Sequence, residues 1–81
     1  MNFRVIVIPR KAYNILLVNC DRDSPEFDIL VNTFVMRDRG NEFVQIPCDD
    51  AEFDLILNLA VSKCPEIVSV IRLAADRQLR A

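Results

Sequence analysis

A single glycine, Gly40, serves a chain of 81 residues. Glycine is what lets a backbone turn through positive φ or wrap closely around a phosphate, so this chain has one place for such a turn and no phosphate loop. Gly40 stands in the stretch Arg37, Asp38, Arg39, Gly40 and Asn41, which reads as a hairpin loop. There is also no histidine, which removes the usual general base near neutral pH and the commonest metal ligand. Both absences point away from small enzymes and nucleotide binders, and toward a non-catalytic domain that works by touching another macromolecule.

The length sets one domain, residues 1–81, with a thin core. The apolar fraction of 52% exceeds what so small a globule needs inside. Part of that surface is expected to lie in an interface, with a partner or with a second copy. Cys20, Cys48 and Cys64 are odd in number and widely spaced. They read as small buried hydrophobes in a reducing compartment, not as a disulfide framework. The apolar run near the N-terminus is too short for a signal peptide, and no stretch is long enough for a transmembrane helix. The expectation is a soluble, cytoplasmic protein with no cofactor, no metal and no small-molecule substrate.

Residues 3–8 are rich in β-branched side chains and end at Pro9, so they read as a strand. Residues 13–20 read as its hairpin partner, across a turn at Pro9, Arg10, Lys11 and Ala12. Residues 26–37 carry a helical stripe of Phe27, Leu30, Val31, Phe34 and Val35, with Asp23 and Glu26 spaced as a capping box. Strand formers dominate that run, however, and the expectation is a strand that pairs with residues 42–46. Asp49 or Asp50 then caps a helix with Glu52 and Asp54 in its first turn. Phe53, Ile56, Leu57, Ala60, Val61 and Cys64 form its apolar stripe, widened by Leu55 and Leu59. Pro65 opens a second helix whose apolar face is Ile67, Val68, Ile71, Ala74, Ala75 and Leu79. Arg72, Asp76, Arg77 and Arg80 lie on its polar face, and Leu73 falls among them. The predicted fold is α+β: a four-stranded antiparallel β-meander followed by two helices, ββββαα. The alternative reading of residues 26–37 makes it ββαβαα.

The predicted first hairpin is apolar on both faces. Phe3, Val5, Val7, Leu16 and Val18 fall on one, and Arg4, Ile6, Ile8, Tyr13, Ile15 and Leu17 on the other. A sheet with one wet face alternates apolar and polar residues, and two helices on one side cover only one face. The second face, with Arg4 and Tyr13, residue types enriched at interface hot spots, is therefore the candidate partner surface: Arg4, Ile6, Tyr13, Ile15 and Leu17. Asp21, Asp23 and Glu26, in an acidic segment that also holds Asp28, are candidate contacts beside it.

Other constellations carry less. The acids at 21–28 lack the glycine and ligand spacing of a calcium loop. Asp49, Asp50, Glu52 and Asp54 are accounted for by the helix start they occupy. Cys48 has no histidine to activate it and acids nearby that oppose its ionisation. Direct nucleic-acid binding is disfavoured by the net charge of −2 and by a total of five phenylalanines, one tyrosine and no tryptophan. The same acidic segments could instead act as a mimic of a nucleic-acid backbone.

In plan the chain resembles small phage-encoded anti-CRISPR proteins of the type I inhibitor class. The likeness lies in Met1, Asn2, Phe3, Arg4 and Val5 opening a short strand, with Tyr13 to Val18 running back along it. It continues in strands meeting at Asp38, Arg39, Gly40 and Asn41, and a cap at Cys48, Asp49 and Asp50 that opens the helices. The resemblance implies stoichiometric binding to a larger host complex such as a CRISPR effector, without catalysis, and carries no individual residue role over. A homodimeric structural or regulatory module is the second expectation.

Overall fold

The computed structural model describes the backbone of residues 3–80 and the side chains of residues 4–75. The element order is β1 (Phe3–Pro9), α1 (Arg10–Val18), α2 (Pro25–Val31), β2 (Phe34–Asp38), β3 (Asn41–Asp49) and α3 (Asp50–Lys63). A 3₁₀ turn (Pro65–Ile67) and α4 (Val68–Arg80) complete it. The strands form an antiparallel sheet in the order β1-β3-β2. The four-stranded meander and both predicted layouts are therefore corrected. The described residues form three strands, and two helices separate the first strand from the second.

The helical stretch at 10–18 has a physical reason. Ala12 and Leu16, one turn apart, are buried, and Tyr13 and Leu17 lie half-buried beside them, while Lys11, Asn14 and Val18 point outward. Those spacings make one helical stripe. Pro9 ends β1 and stands immediately before the helix, where its missing N–H costs no helical bond. Asn19 closes the other end, with its backbone N–H and its side-chain Nδ2 both donating to the Ile15 carbonyl, at 3.2 and 2.8 Å.

The predicted strand at 26–37 divides. Ser24 precedes Pro25 at the first helical position, and Glu26 and Asp28 complement the helix dipole in the first turn. These start signals win over the β-branched content of residues 29–31. The extended chain resumes only at Phe34. The expected Asp23–Glu26 capping box does not form: Ser24 takes the cap position without a side-chain cap hydrogen bond, and its hydroxyl donates to the Asp21 carbonyl at 2.6 Å.

At the β2–β3 turn Arg39 and Gly40 have φ of 53° and 84°, between the paired residues Asp38 and Asn41. Two positive φ values in a two-residue loop define a type I′ turn, the form whose twist suits a hairpin. A Cβ added at Gly40 would meet nothing within 4 Å, so substitution there costs backbone strain alone. Gly40→Val is expected to lower stability by about 1–2 kcal/mol, read as a lower denaturant midpoint with an unchanged slope.

β3 is the central strand and runs past Ile46, where the sequence reading stopped it, to Asp49. Pro47 is tolerated because the strand alternation turns its nitrogen toward β2, and β2 has already ended at the Phe34–Gln45 pair. Val44, Ile46 and Cys48 of β3, with Ile6 and Ile8 of β1, form the buried face of the sheet. One core cluster joins them to Ala12 and Leu16, Ile29 and Leu30, Ile56, Ala60 and Cys64, Ile67, Ile71 and Ala74. All four helices thus serve the same side of the sheet. Val61, within the predicted stripe of α3, is exposed, and Leu73 is exposed as its place among the polar-face residues of the last helix implies. The predicted face assignments of Phe3, Asp76, Arg77, Leu79 and Arg80 lie outside the described side chains.

Candidate interaction surface

The open face of the sheet follows from strand parity. Val5 and Val7 on β1, Phe43, Gln45 and Pro47 on β3, and Phe34 and Met36 on β2 point away from the core side. None of them is buried. Phe34 is 65% exposed, and Val7 and Met36 are more than a third exposed. Gln45 Nε2 lies 3.0 Å from Met36 Sδ, a polar link across an otherwise apolar face. β2 is exposed along all five residues, including Val35 on the core side of the sheet, because no helix extends beneath it.

The residues singled out from the sequence do not come together as one surface. Arg4 faces the core side of β1, opposite Cys48. Its guanidinium pairs with the Asp50 carboxylate and lies 4.9 Å from the centre of the Phe53 ring, tying β1 to the start of α3. Ile6 is in the core at 1% exposure. Tyr13 lies on α1, where its hydroxyl donates to the Leu30 carbonyl and ties α1 to α2. Ile15 and Leu17 are half-buried against the core from the same helix. Asp21 and Asp23 are exposed in the loop before α2, and Glu26 is half-buried in its first turn. The physical reason is the helical period of α1, which separates residues that a strand would align, and the inward parity of Arg4, Ile6 and Ile8 in β1.

Three of the acids at 49–54, Asp49, Asp50 and Glu52, have structural duties. Asp49 Oδ1 accepts from the Glu52 N–H at 2.8 Å, and Glu52 Oε1 accepts from the Asp49 N–H at 2.9 Å, a complete capping box. Asp50 holds Arg4. Burial pushes the Cys48 thiol pKa up from 9.0 to about 11, with Glu52 adding to the rise and Arg4 opposing it. Burial also raises Cys64, with Glu66 adding. Both thiols are therefore neutral near pH 7 and weak as nucleophiles. Among the described residues no group of three or more His, Cys, Asp or Glu side chains could hold a metal ion, and no helix is long and apolar enough to cross a membrane.

A cleft of about 610 Å³ lies between the start of α1 and the β2–β3 turn. It presents Arg10 and Lys11, but Arg10 is engaged by Glu42 at 2.9 Å, and Arg37 approaches the same carboxylate at 3.7 Å.

The surface the sequence reading missed is the outer row at Val5, Val7, Phe34, Met36 and Phe43. Its signal was available in part: β1 is apolar at every position from Val5 to Ile8, so one of its faces had to remain uncovered by a single helical layer. No protein-family model, curated protein or solved structure matches this chain.

Proposed function

We propose that this protein is a non-catalytic interaction module that docks a protein partner on the open face of its sheet. The observation that carries this reading is the row of Val7, Phe34, Met36 and Phe43, apolar and unburied on a sheet whose other face holds the whole core. Flat apolar surface with aromatic anchors is what protein interfaces use at their centres. Gln45 supplies a hydrogen-bonding group within it. The sequence layout takes the reading one step further, to a small phage-type inhibitor that seats this face on a larger host complex such as a CRISPR effector.

The test compares wild type with Phe43→Asp in affinity capture from host lysate, with Asn58→Asp on the exposed side of α3 as the control. A complex that survives at Asn58 and weakens at least tenfold at Phe43, with both variants folded by circular dichroism, supports docking on this face; tenfold is about 1.4 kcal/mol. Equal capture by all three proteins removes the sheet face from the reading.

A further inference from the structure

The outer edge of β2 presents a second, separate surface. Asp38 and Asn41 flank a two-residue type I′ turn, and in such a hairpin they form a hydrogen-bonded pair. Alternation from there directs the backbone groups of Met36 and Phe34 toward β3, and those of Val35 and Arg37 away from it. Neither Val35 nor Arg37 takes part in any other backbone hydrogen bond of the described chain. Natural edge strands are blunted by charged side chains, proline, bulges, shortness or a covering element. β2 is short and carries charge only at its turn end, Arg37 and Asp38; along Phe34, Val35 and Met36 it has no charge, proline or bulge, its register is unbroken, and it is exposed throughout.

We infer that β2 pairs antiparallel with β2 of a second copy, about a two-fold axis at Val35, to make one six-stranded sheet. This register opposes Val35 to Val35, Thr33 to Arg37, and Phe34 to Met36 twice. The Phe34–Met36 pairs fall on the open face as non-hydrogen-bonded pairs, where side chains approach most closely. The self-complementary register, which sets Phe34 of each copy against Met36 of the other, points to a second copy as occupant. From Asp23 to Met36 the chain carries Asp23, Glu26 and Asp28 and no base, whereas the far end of β2 holds Arg37 and Arg39 around Asp38, with Arg37 3.7 Å from Glu42. Antiparallel pairing lays Arg37 and Arg39 alongside the other copy's α2. That helix has no basic residue in its last turn and ends in a partial negative charge. Each copy thus supplies the complement of its own edge, as an isologous interface requires. The dimer leaves the open faces uncovered and joins them into one surface of double width. It stands independently of the partner-docking reading above, since the edge, not the face, is consumed.

The test is solution mass by sedimentation from about 10 μM to about 1 mM, with Val35→Pro as the variant. Proline removes the outward N–H that the pairing needs, and costs no bond within the hairpin because that N–H does not face β3. Wild type is expected to move from 9.3 kDa toward twice that mass, and Val35→Pro to shift the midpoint at least tenfold to higher concentration. Amide exchange on wild type adds a readout that does not depend on the variant's folding. Protection at Val35 and Arg37 should rise with concentration, while Val44 stays unchanged. Wild type that is monomeric throughout overturns the inference. So does a dimer whose Val35 and Arg37 amides gain no protection; that result would move self-association to the sheet face and be tested by Phe43→Asp. Equal lysate capture by wild type and Phe43→Asp, with the dimer intact, would count against the docking reading alone.

Discussion

Ile6→Asp is expected to abolish folding, while Val7→Asp, one residue along the same strand, leaves the protein folded. Ile6 is buried opposite Ile46 in the centre of the sheet's inner face, and Val7 points out opposite Gln45. A chain of this length has about 4–12 kcal/mol of stability in total. Truncation of Ile6 to alanine alone is expected to cost about 2–5 kcal/mol, through lost transfer energy and the cavity left behind. An uncompensated carboxylate there costs more. Val7 loses strand propensity and little else, about 1 kcal/mol. Circular dichroism and urea midpoints read both. Equal destabilisation at the two positions would mean that the outer face is covered, and the proposed docking surface would go with it.

The second large effect is alkaline. Cys48 is fully buried on β3, and its thiol pKa rises from 9.0 to about 11 chiefly through burial, with Glu52, Asp49 and Asp50 adding and Arg4 opposing. A folded-state pKa above the unfolded one means that the stability linked to the neutral thiol is fully present below about pH 9 and is lost as pH rises toward 11. Two pH units correspond to roughly 3 kcal/mol, a large share of the total. Urea unfolding at about pH 8 and about pH 10.5 should show the loss in wild type and a smaller one in Cys48→Ala. A residual slope is expected in that variant because Cys64 is shifted in the same direction. Identical losses in the two proteins would separate the alkaline transition from Cys48. Near neutral pH the same burial predicts that Cys48 and Cys64 resist alkylation in the native state, and that half-buried Cys20 reacts first.

The two phenomena meet at one end of the sheet. Arg4 bridges from β1 to Asp50 and stacks on Phe53, and the Asp49–Glu52 cap fixes the start of α3 beside it. This cluster closes the core over Cys48. The opposite edge, β2, has no such cover, and there the chain offers both an apolar face and unpaired backbone groups. The molecule is thus polar in its organisation, sealed at the β1–α3 side and open at β2.

Local chemistry was decisive where a residue's effect is confined to its neighbours. The β-branched run ending at Pro9 set β1, and Gly40 within a charged pentad set the hairpin turn. Asp49 with Glu52 set the start of α3, and the stripe of Ile71, Ala74 and Ala75 set the inner face of the last helix. Each is a cap, a turn or a period that the chain carries in a few adjacent residues. Residues 10–18 and 25–31 were different. Their apolar positions are dense enough to satisfy a strand or a helix; residues 10–18 have no local arbiter, and at 25–31 the start signals from Ser24 to Asp28 act together with the packing. What decided them was the sheet itself. Ile6, Ile8, Val44, Ile46 and Cys48 needed a helical layer, and Ala12, Leu16, Ile29 and Leu30 could meet them only from helices. The same holds for the surface that a partner would see. Ile6 and Val7 are equally apolar, and which of them faces inward is fixed by the pairing of β1 with β3, some 40 residues away in sequence. The dense apolar content of β1 requires that one apolar face be left over; the non-local pairing of strands makes it Val5, Val7, Phe34, Met36 and Phe43.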